Sequence, residues 1–347
     1  MQLFGFTLLR NGAKYDYCYK ESLRSLGAVC EKVYLAFDRG EDNTEETLKD
    51  LEFLKIIPST WDMSKREGGL MLSIQTNVAL DALRKDYGDK NDTWGFYLQC
   101  DEVLHEEDYE LIKADVQKAQ EQGFDTVAFR YLHFWDNHHS LAINKKWYPQ
   151  EIRCVKLNSN IESWGDAQSF RNYKKVYYSD ARIFHYGHVR EADKYVQKKH
   201  DIMELYHTED KIKKYRKRER RFDKMTKTLL FFGNHPALMK DRIIRLGDLW
   251  SLPTRDIVYI VDPQDEISES FSQKVNAKEV VKVNSLSKVP CKYRRNNTVI
   301  IKPSWWQKIF YPSTVPEKME SKLALAWPLE FVVILKLSEK NIGLKSC

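Results

Sequence analysis

The sequence predicts an α/β protein with a mixed, mainly parallel sheet and a smaller α/β unit at its carboxyl end. Three observations carry that expectation. Through the first third of the chain, short apolar runs alternate with amphipathic stretches of helical length, the pattern of βαβ units. Hydrophobic residues make up 42% of the chain, enough for a full core and too many for global disorder. Near Leu246 the composition changes, and short β-branched runs follow in RDIVYIVDP, KEVVKV and NTVIIKP. The expected division is therefore 1–245 and 246–347.

In order, LFGFTLL reads as a first strand and Ala13 to Leu26 as a helix, with Gly27 as its stop. KVYLAF is a second strand ending at Asp38, and Thr44 to Leu54 a helix whose first turn is acidic, as the helix dipole favours. LKIIPS is a short strand, Leu72 to Tyr87 a helix stopped by Gly88, and WGFYLQ the next strand. Asp108 to Gln122 is a helix closed by Gly123, and DTVAFRYLHF a strand. Beyond Trp135 the periodicity fades into aromatic and polar residues, the composition of loops and site walls. Glu191 to Tyr206 is helical and runs into the basic tract KIKKYRKRERRFDKMTK.

A net charge of +6 permits anionic partners without demanding them. The six cysteines include no C-x-x-C pair, which excludes the common zinc and redox spacings and suits a reducing compartment. The amino-terminal segment has no basic n-region or cleavage site, and no uncharged run reaches transmembrane length. The expectation is a soluble, cytoplasmic protein.

The most informative stretch is TWGFYLQCDEVLHEEDYELI, where an apolar strand runs into Asp101 and Glu102. In parallel sheets ligands bind beyond the carboxyl ends of the strands, and Asp38 and Asp101 both sit at such ends. Carboxylates there can bind a divalent metal, act as general base, or cap the next helix. Magnesium and manganese favour oxygen ligands, and magnesium is commonly held by one or two carboxylates plus substrate phosphates. A nucleoside diphosphate carries matching phosphates.

FYLQCDEVLHEEDYELI resembles the acidic strand-end motif of the family 2 glycosyltransferases, inverting enzymes with the GT-A fold. LLRNGAKYDYCYKESLRSL, VYLAFDRGEDNTEE and GGLMLSIQTNVALDAL resemble that family's opening strand and helix, second strand and nucleotide-side helix. WYPQEIRCVKLNSNIESWGDAQSF and RIFHYGHVREADKYVQKK resemble its acceptor-side and histidine segments, and FFGNHPALMKDRI the tail motif of a bacterial subgroup. The resemblance spans roughly residues 1–245. It implies a GT-A-type domain that moves a sugar from a nucleotide-diphosphate donor to a hydroxyl acceptor, with a glycan or glycolipid of the cell envelope as acceptor. One departure stands out: Gln99 occupies the place of the motif's usual first acid. A neutral amide still binds ribose hydroxyls or a metal-bound water.

The resemblance makes Asp101 a ligand for manganese or magnesium, and His185 a second ligand, with His188 competing; imidazole suits manganese better than magnesium. It makes Asp166 the base that deprotonates the acceptor, with Glu162 in reserve, whereas local sequence reads Asp166 equally as the N-cap of a helix over AQSFRNY. Asp38 becomes a nucleotide contact, or else a plain turn acid. Gln75 and Asn77 lie on a helix face directed at the same donor site, or are exposed. Glu102 is a supporting partner or surface. Trp135, Trp147 and Trp164 are core residues or platforms for sugar rings. Arg190 and the tract Lys211–Lys224 form a solvated face or a peripheral contact with an anionic membrane; no nucleic-acid motif accompanies them, so nucleic acid is not an expected partner. Leu323–Leu337 is a buried strand or a membrane-surface segment. The rival readings are a non-catalytic sugar or nucleotide binder on the same fold, and an adaptor built on the basic tract.

Overall fold

In the computed structural model, which describes residues 1–65, 67–142, 147–191, 193–198, 201, 228–231, 234–248, 255–261, 277–283, 298–301 and 331–332, the sheet is built outward from β1 (Gln2–Leu9). β1 pairs in parallel with β2 (Val33–Phe37) on one side and β4 (Thr93–Tyr97) on the other; β3 (Leu54–Pro58) adds in parallel to β2. Every residue of β2 and β4 is buried, as expected of parallel strands covered on both faces. Beyond β4 the sense changes. β8 (Gln150–Lys156) lies antiparallel between β4 and β6 (Thr126–Trp135). β6 then pairs in parallel with the long β11 (Val176–His188), which holds the short β5 (Glu102–Leu104) antiparallel. β7 (Ser140–Ala142), β12 (Thr228–Phe231) and β16 (Phe331–Val332) extend the edge. β9 (Glu162–Trp164) and β10 (Ser169–Arg171) form a separate hairpin.

Helices cover both faces. α1 (Tyr19–Val29) and α4 (Tyr109–Glu121) pack over Leu3, Leu35, Trp94 and Phe96, while α3 (Leu70–Tyr87) packs over Phe4, Phe6, Tyr34 and Tyr97. The alternation of Leu3 with Phe4 and of Phe96 with Tyr97 is the period-two pleat feeding two cores. A third cluster joins Phe134, Phe184, Tyr186, Phe231, Met239 and Ile243 and anchors the tail motif, in which the Tyr186 hydroxyl meets His235 Nδ1 at 2.9 Å.

The α/β class and the strand–helix order agree with the sequence. Several local expectations do not. The first helix begins at Tyr19, not Ala13, because Asn11 and Asp16 hold φ of 53° and 49° and fold the intervening chain into turns. It runs through Gly27, where a Cβ would lie 2.8 Å from the Phe53 ring, so that glycine serves close packing rather than termination. α2 (Thr44–Leu48) ends well before Leu54. The aperiodic stretch after Trp135 contains β7, β8, β9 and β10; β8 escaped notice because Arg153 occupies a fully buried position in it. The expected carboxyl-terminal strands appear as a parallel three-stranded sheet, β14 (Ala277–Val283), β13 (Arg255–Val261) and β15 (Thr298–Ile301). β16 falls within Leu323–Leu337 and pairs with β12 of the large sheet. The rest of that segment and the basic tract lie outside the described residues. Among the described residues, no helix is long and apolar enough to cross a membrane.

Candidate active site

A cavity of about 580 Å³ opens at the carboxyl ends of β1 and β4. Leu8 to Asn11 at the end of β1, and Gln99 to Asp101 after β4, line it together with Trp61, Tyr148, Asp166, His185, His188 and Lys198. Of the residues expected from sequence, Asp101, His185, Asp166 and Gln99 line this cavity, whereas Asp38, Gln75 and Asn77 do not.

Asp101 is placed by a tight turn in which Glu102 N–H donates to Gln99 O at 2.9 Å, and by β11, whose Tyr186 N–H donates to Asp101 O at 2.8 Å. Glu102 is not a surface residue. Its carboxylate is fully buried, accepts from Gln99 N at 2.9 Å and Tyr131 Oη at 2.7 Å, and meets Arg153 Nη2 at 3.0 Å. Arg153 also donates to Gln168 O at 2.7 Å. This buried pair sets the shape of the turn that presents Asp101.

His185 Nε2 lies 3.9 Å from Asp101 Oδ1. Its tautomer follows from its neighbours. His133 Nε2 lies 2.8 Å from the Tyr148 carbonyl, which only accepts, so His133 carries its proton there. His133 Nδ1 must then accept from His185 Nδ1–H at 3.0 Å. His185 Nε2 is left with its lone pair toward Asp101. Burial lowers the pKa of both rings, which keeps them neutral near pH 7. Burial raises the Asp101 carboxyl, but the Lys198 ammonium, with the Arg190 guanidinium, outweighs it and holds Asp101 below its usual range. Gly187 supplies the room, since a Cβ there would meet His185 Nε2 at 2.5 Å and Asp101 Oδ2 at 2.9 Å.

Among the described residues, no group of three or more His, Cys, Asp or Glu side chains could hold a metal ion. The donor set is therefore one carboxylate and one imidazole lone pair facing a space kept clear by glycine. Such a pair fits a divalent ion that takes its remaining ligands from phosphate oxygens and water.

Asp166 sits at the tip of the β9–β10 hairpin, exposed at the cavity mouth. No helix follows it: Ala167 has a φ of 61° and its N–H returns to Trp164 O at 3.1 Å. The N-cap reading is thereby corrected. Among the described residues its carboxylate has no hydrogen-bond partner, while the reserve acid Glu162 is engaged by Arg171 at 2.8 Å.

Asn77 and Gln75 hold the loops that line the cavity. Asn77 exchanges two hydrogen bonds of 2.9 Å with the backbone of Ser163, and Ser73, one turn earlier on α3, donates to Gly165 O at 2.9 Å. Together they grip the hairpin that carries Asp166. Gln75 is buried and donates to Thr60 O at 3.1 Å. Asp38 accepts from Gly40 N at 2.9 Å and Trp61 N at 2.8 Å, which places Trp61, rather than Asp38, at the cavity. Gln99 Nε2 bridges Tyr97 Oη and Ala167 O, each at 3.3 Å. Trp147 lines the cavity with Trp135 packed behind it, and Trp164 is 53% exposed on the hairpin.

Sequence reasoning missed Lys198. Residues 193–198 and 201 are helical, and Lys198 and Asp201, three apart and so on one face, both reach the cavity. Burial first, then the Arg190 charge, lowers the Lys198 ammonium to about 7. The expected helix over Glu191–Tyr206 was the available signal, but which face turned inward was not readable.

No protein-family model matches the sequence, and no curated protein matches it. Among solved structures, the chain is similar to S. aureus TarS with a TM-score of 0.35 and 14% identity over 58% of this chain. It is similar also to the TarS 1–349 structure, with a TM-score of 0.34 and 14% identity over 59%. The chain spans 39% of the first and 65% of the second. A protein from Bacillus anthracis described as a glucose-1-phosphate thymidylyltransferase, crystallised with sucrose, is similar over 59% of this chain and 82% of its own, with 8% identity and a TM-score of 0.26. The sheet order of parallel β3-β2-β1-β4 followed by antiparallel β8 and β6 is consistent with a GT-A-type fold.

Proposed function

We propose that the protein is a glycosyltransferase that moves a sugar from a nucleoside-diphosphate donor to a hydroxyl acceptor with inversion. The carrying observation is that one cavity at the strand carboxyl ends gathers Asp101, His185 and Asp166 from three distant segments. Asp101 and His185 would hold a divalent ion, which when bound neutralises charge developing on the leaving diphosphate. Asp166 takes the proton of the acceptor hydroxyl as its oxygen attacks the anomeric carbon opposite the diphosphate. The carbon–oxygen bond to the diphosphate breaks, its electron pair leaves on the phosphate, and configuration inverts. The geometry parallels an inverting glycosidase, in which a carboxylate activates water from the far face. Trp61 forms the wall on the β1 side, where the nucleoside would lie, and Trp147 and Trp164 offer faces to the acceptor. The sequence resemblance supports an envelope glycan or glycolipid as that acceptor.

Titration calorimetry with UDP, GDP and their sugar conjugates, with and without manganese, tests this reading on wild type and Asp101→Ala. Manganese-dependent binding lost in the variant is the expected result, with donor turnover lost in Asp166→Asn. Nucleotide binding indifferent to both metal and Asp101 would overturn the metal-bridged site, and absence of any nucleotide binding would overturn the whole reading.

A further inference from the structure

We propose that Lys198 is a diphosphate-binding residue, held over the cavity by Asp101 and delivering its ammonium to the phosphates of the donor. This rests on the glycosyltransferase reading for the identity of the ligand, but on geometry for the anion.

The first observation is charge balance. Arg10 faces Asp38, and Lys14 faces Glu41 and Asp201, so those cavity cations have acidic partners. Lys198 and Arg190 share what remains. Arg190 is buried and its Nη1 and Nη2 donate to neutral carbonyls, Tyr15 O at 2.7 Å and Gly187 O at 2.5 Å. Lys198, its side chain 13% exposed, faces Asp101 Oδ2. Both cations lie over one ring, with Lys198 Nζ 4.4 Å and Arg190 Cζ 4.8 Å from the Tyr17 centroid. Among the described residues, Asp101 is the one carboxylate paired with Lys198, and Arg190 forms no ion pair. Uncompensated buried charge is costly, and an anionic ligand relieves it.

The second observation is the length of the Lys198 contacts. Its two hydrogen bonds, to Asp101 Oδ2 and Gly187 O, are both 3.5 Å. An ammonium–carboxylate bond settles at about 2.7–2.9 Å when formed for its own sake. Lys198 is therefore near Asp101 without being closed onto it. Its helix is tethered independently: Tyr15 Oη donates to Asp201 Oδ2 at 2.8 Å, one turn further on. That tether holds the helix in place independently of the long Lys198–Asp101 contact. A diphosphate at the Asp101 end of the cavity would bring its negative charge to the Lys198 ammonium. Lysine serves phosphate recognition as a point charge.

The test is calorimetric titration with inorganic pyrophosphate on the full chain, with and without manganese. Lys198→Gln should weaken pyrophosphate binding at least tenfold in both buffers, and Lys198→Arg should restore it to within about threefold. Lys113→Gln, which removes a partly exposed positive charge from α4, should leave it unchanged. Matching melting temperatures show that the variants fold. Pyrophosphate binding by Lys198→Gln within twofold of wild type, equal loss in Lys113→Gln, or no pyrophosphate binding by wild type would each overturn the assignment. Loss of pyrophosphate binding in Lys198→Gln, together with failure of every nucleotide sugar to bind wild type, would overturn the proposed reaction and leave the anion site standing.

Discussion

Gly187→Ala is the most incisive perturbation of the candidate site. The added methyl would sit 2.5 Å from His185 Nε2 and 2.9 Å from Asp101 Oδ2, where ordinary contact begins at 3.4 Å. The imidazole would have to retreat by about 0.9 Å and the carboxylate by about 0.5 Å. His185 cannot retreat freely, because its Nδ1–H is bonded to His133 at 3.0 Å. Displacements near 1 Å cost about 10²-fold in a positioned site. The backbone itself tolerates the change, since Gly187 is not among the residues with positive φ. Overpacking costs about 1–3 kcal/mol, partly offset by the roughly 0.4–1 kcal/mol that alanine removes from unfolded-state freedom. The expected outcome is a drop of a few degrees in melting temperature beside a loss of about 100-fold in manganese-dependent nucleotide affinity or turnover. Calorimetry and thermal melting on the same preparation read both. A variant that binds within threefold of wild type would show that the space between Asp101 and His185 is not where the ligand is held.

Two further outcomes concern stability. Arg153→Met leaves the Glu102 carboxylate buried without its cation, which should cost about 3–5 kcal/mol, whereas Glu102→Leu combined with Arg153→Met should recover most of it; urea midpoints measure both, and a single variant as stable as wild type would refute the structural role of the pair. His138 and His235 are buried with lowered pKa values, burial being the main cause in each. The unfolded chain therefore binds more protons, so their contribution is fully present above their ordinary value near 6.5 and is lost as pH falls below it, by up to about 1.4 kcal/mol per pH unit for each ring. Urea midpoints should fall between pH 7.5 and 5.5, and His235→Phe should flatten that slope; a slope unchanged in the variant would refute the assignment.

The parallel half of the fold was legible because its strands are buried on both faces and so read as apolar runs, and the acids that end them mark the ligand edge. The antiparallel half was not. β8 carries a fully buried arginine whose partner, Glu102, comes from 51 residues earlier, a relation that no local pattern encodes. The same limit governed Asp166, since an aspartate before Ala-Gln-Ser-Phe is a sound helix start, and only the left-handed Ala167, whose carbonyl accepts from Gln99 Nε2, excludes it. Asp101, His185 and Asp166 were found as residue types in a familiar order, and the chain does gather them at one cavity. The supporting roles of Gln75, Asn77 and Asp38 depend on which loop lies opposite each side chain, and Lys198 depends on which way a helix turns. Those are tertiary facts.

The two-sided pairing of β11 also sets when the cavity can exist during synthesis. Its residues 183–185 clasp β5 on one side and β6 on the other, and its Tyr186 amide closes the loop of Asp101. A ribosome that has released Asp101 but not β11 has made the rim without the strand that holds it. Residues from 8 to 201 must all have emerged before the cavity closes. A nascent chain that ends before Asp201 therefore lacks the cavity, and the pairing of β11 with β5 and β6 has to precede its completion.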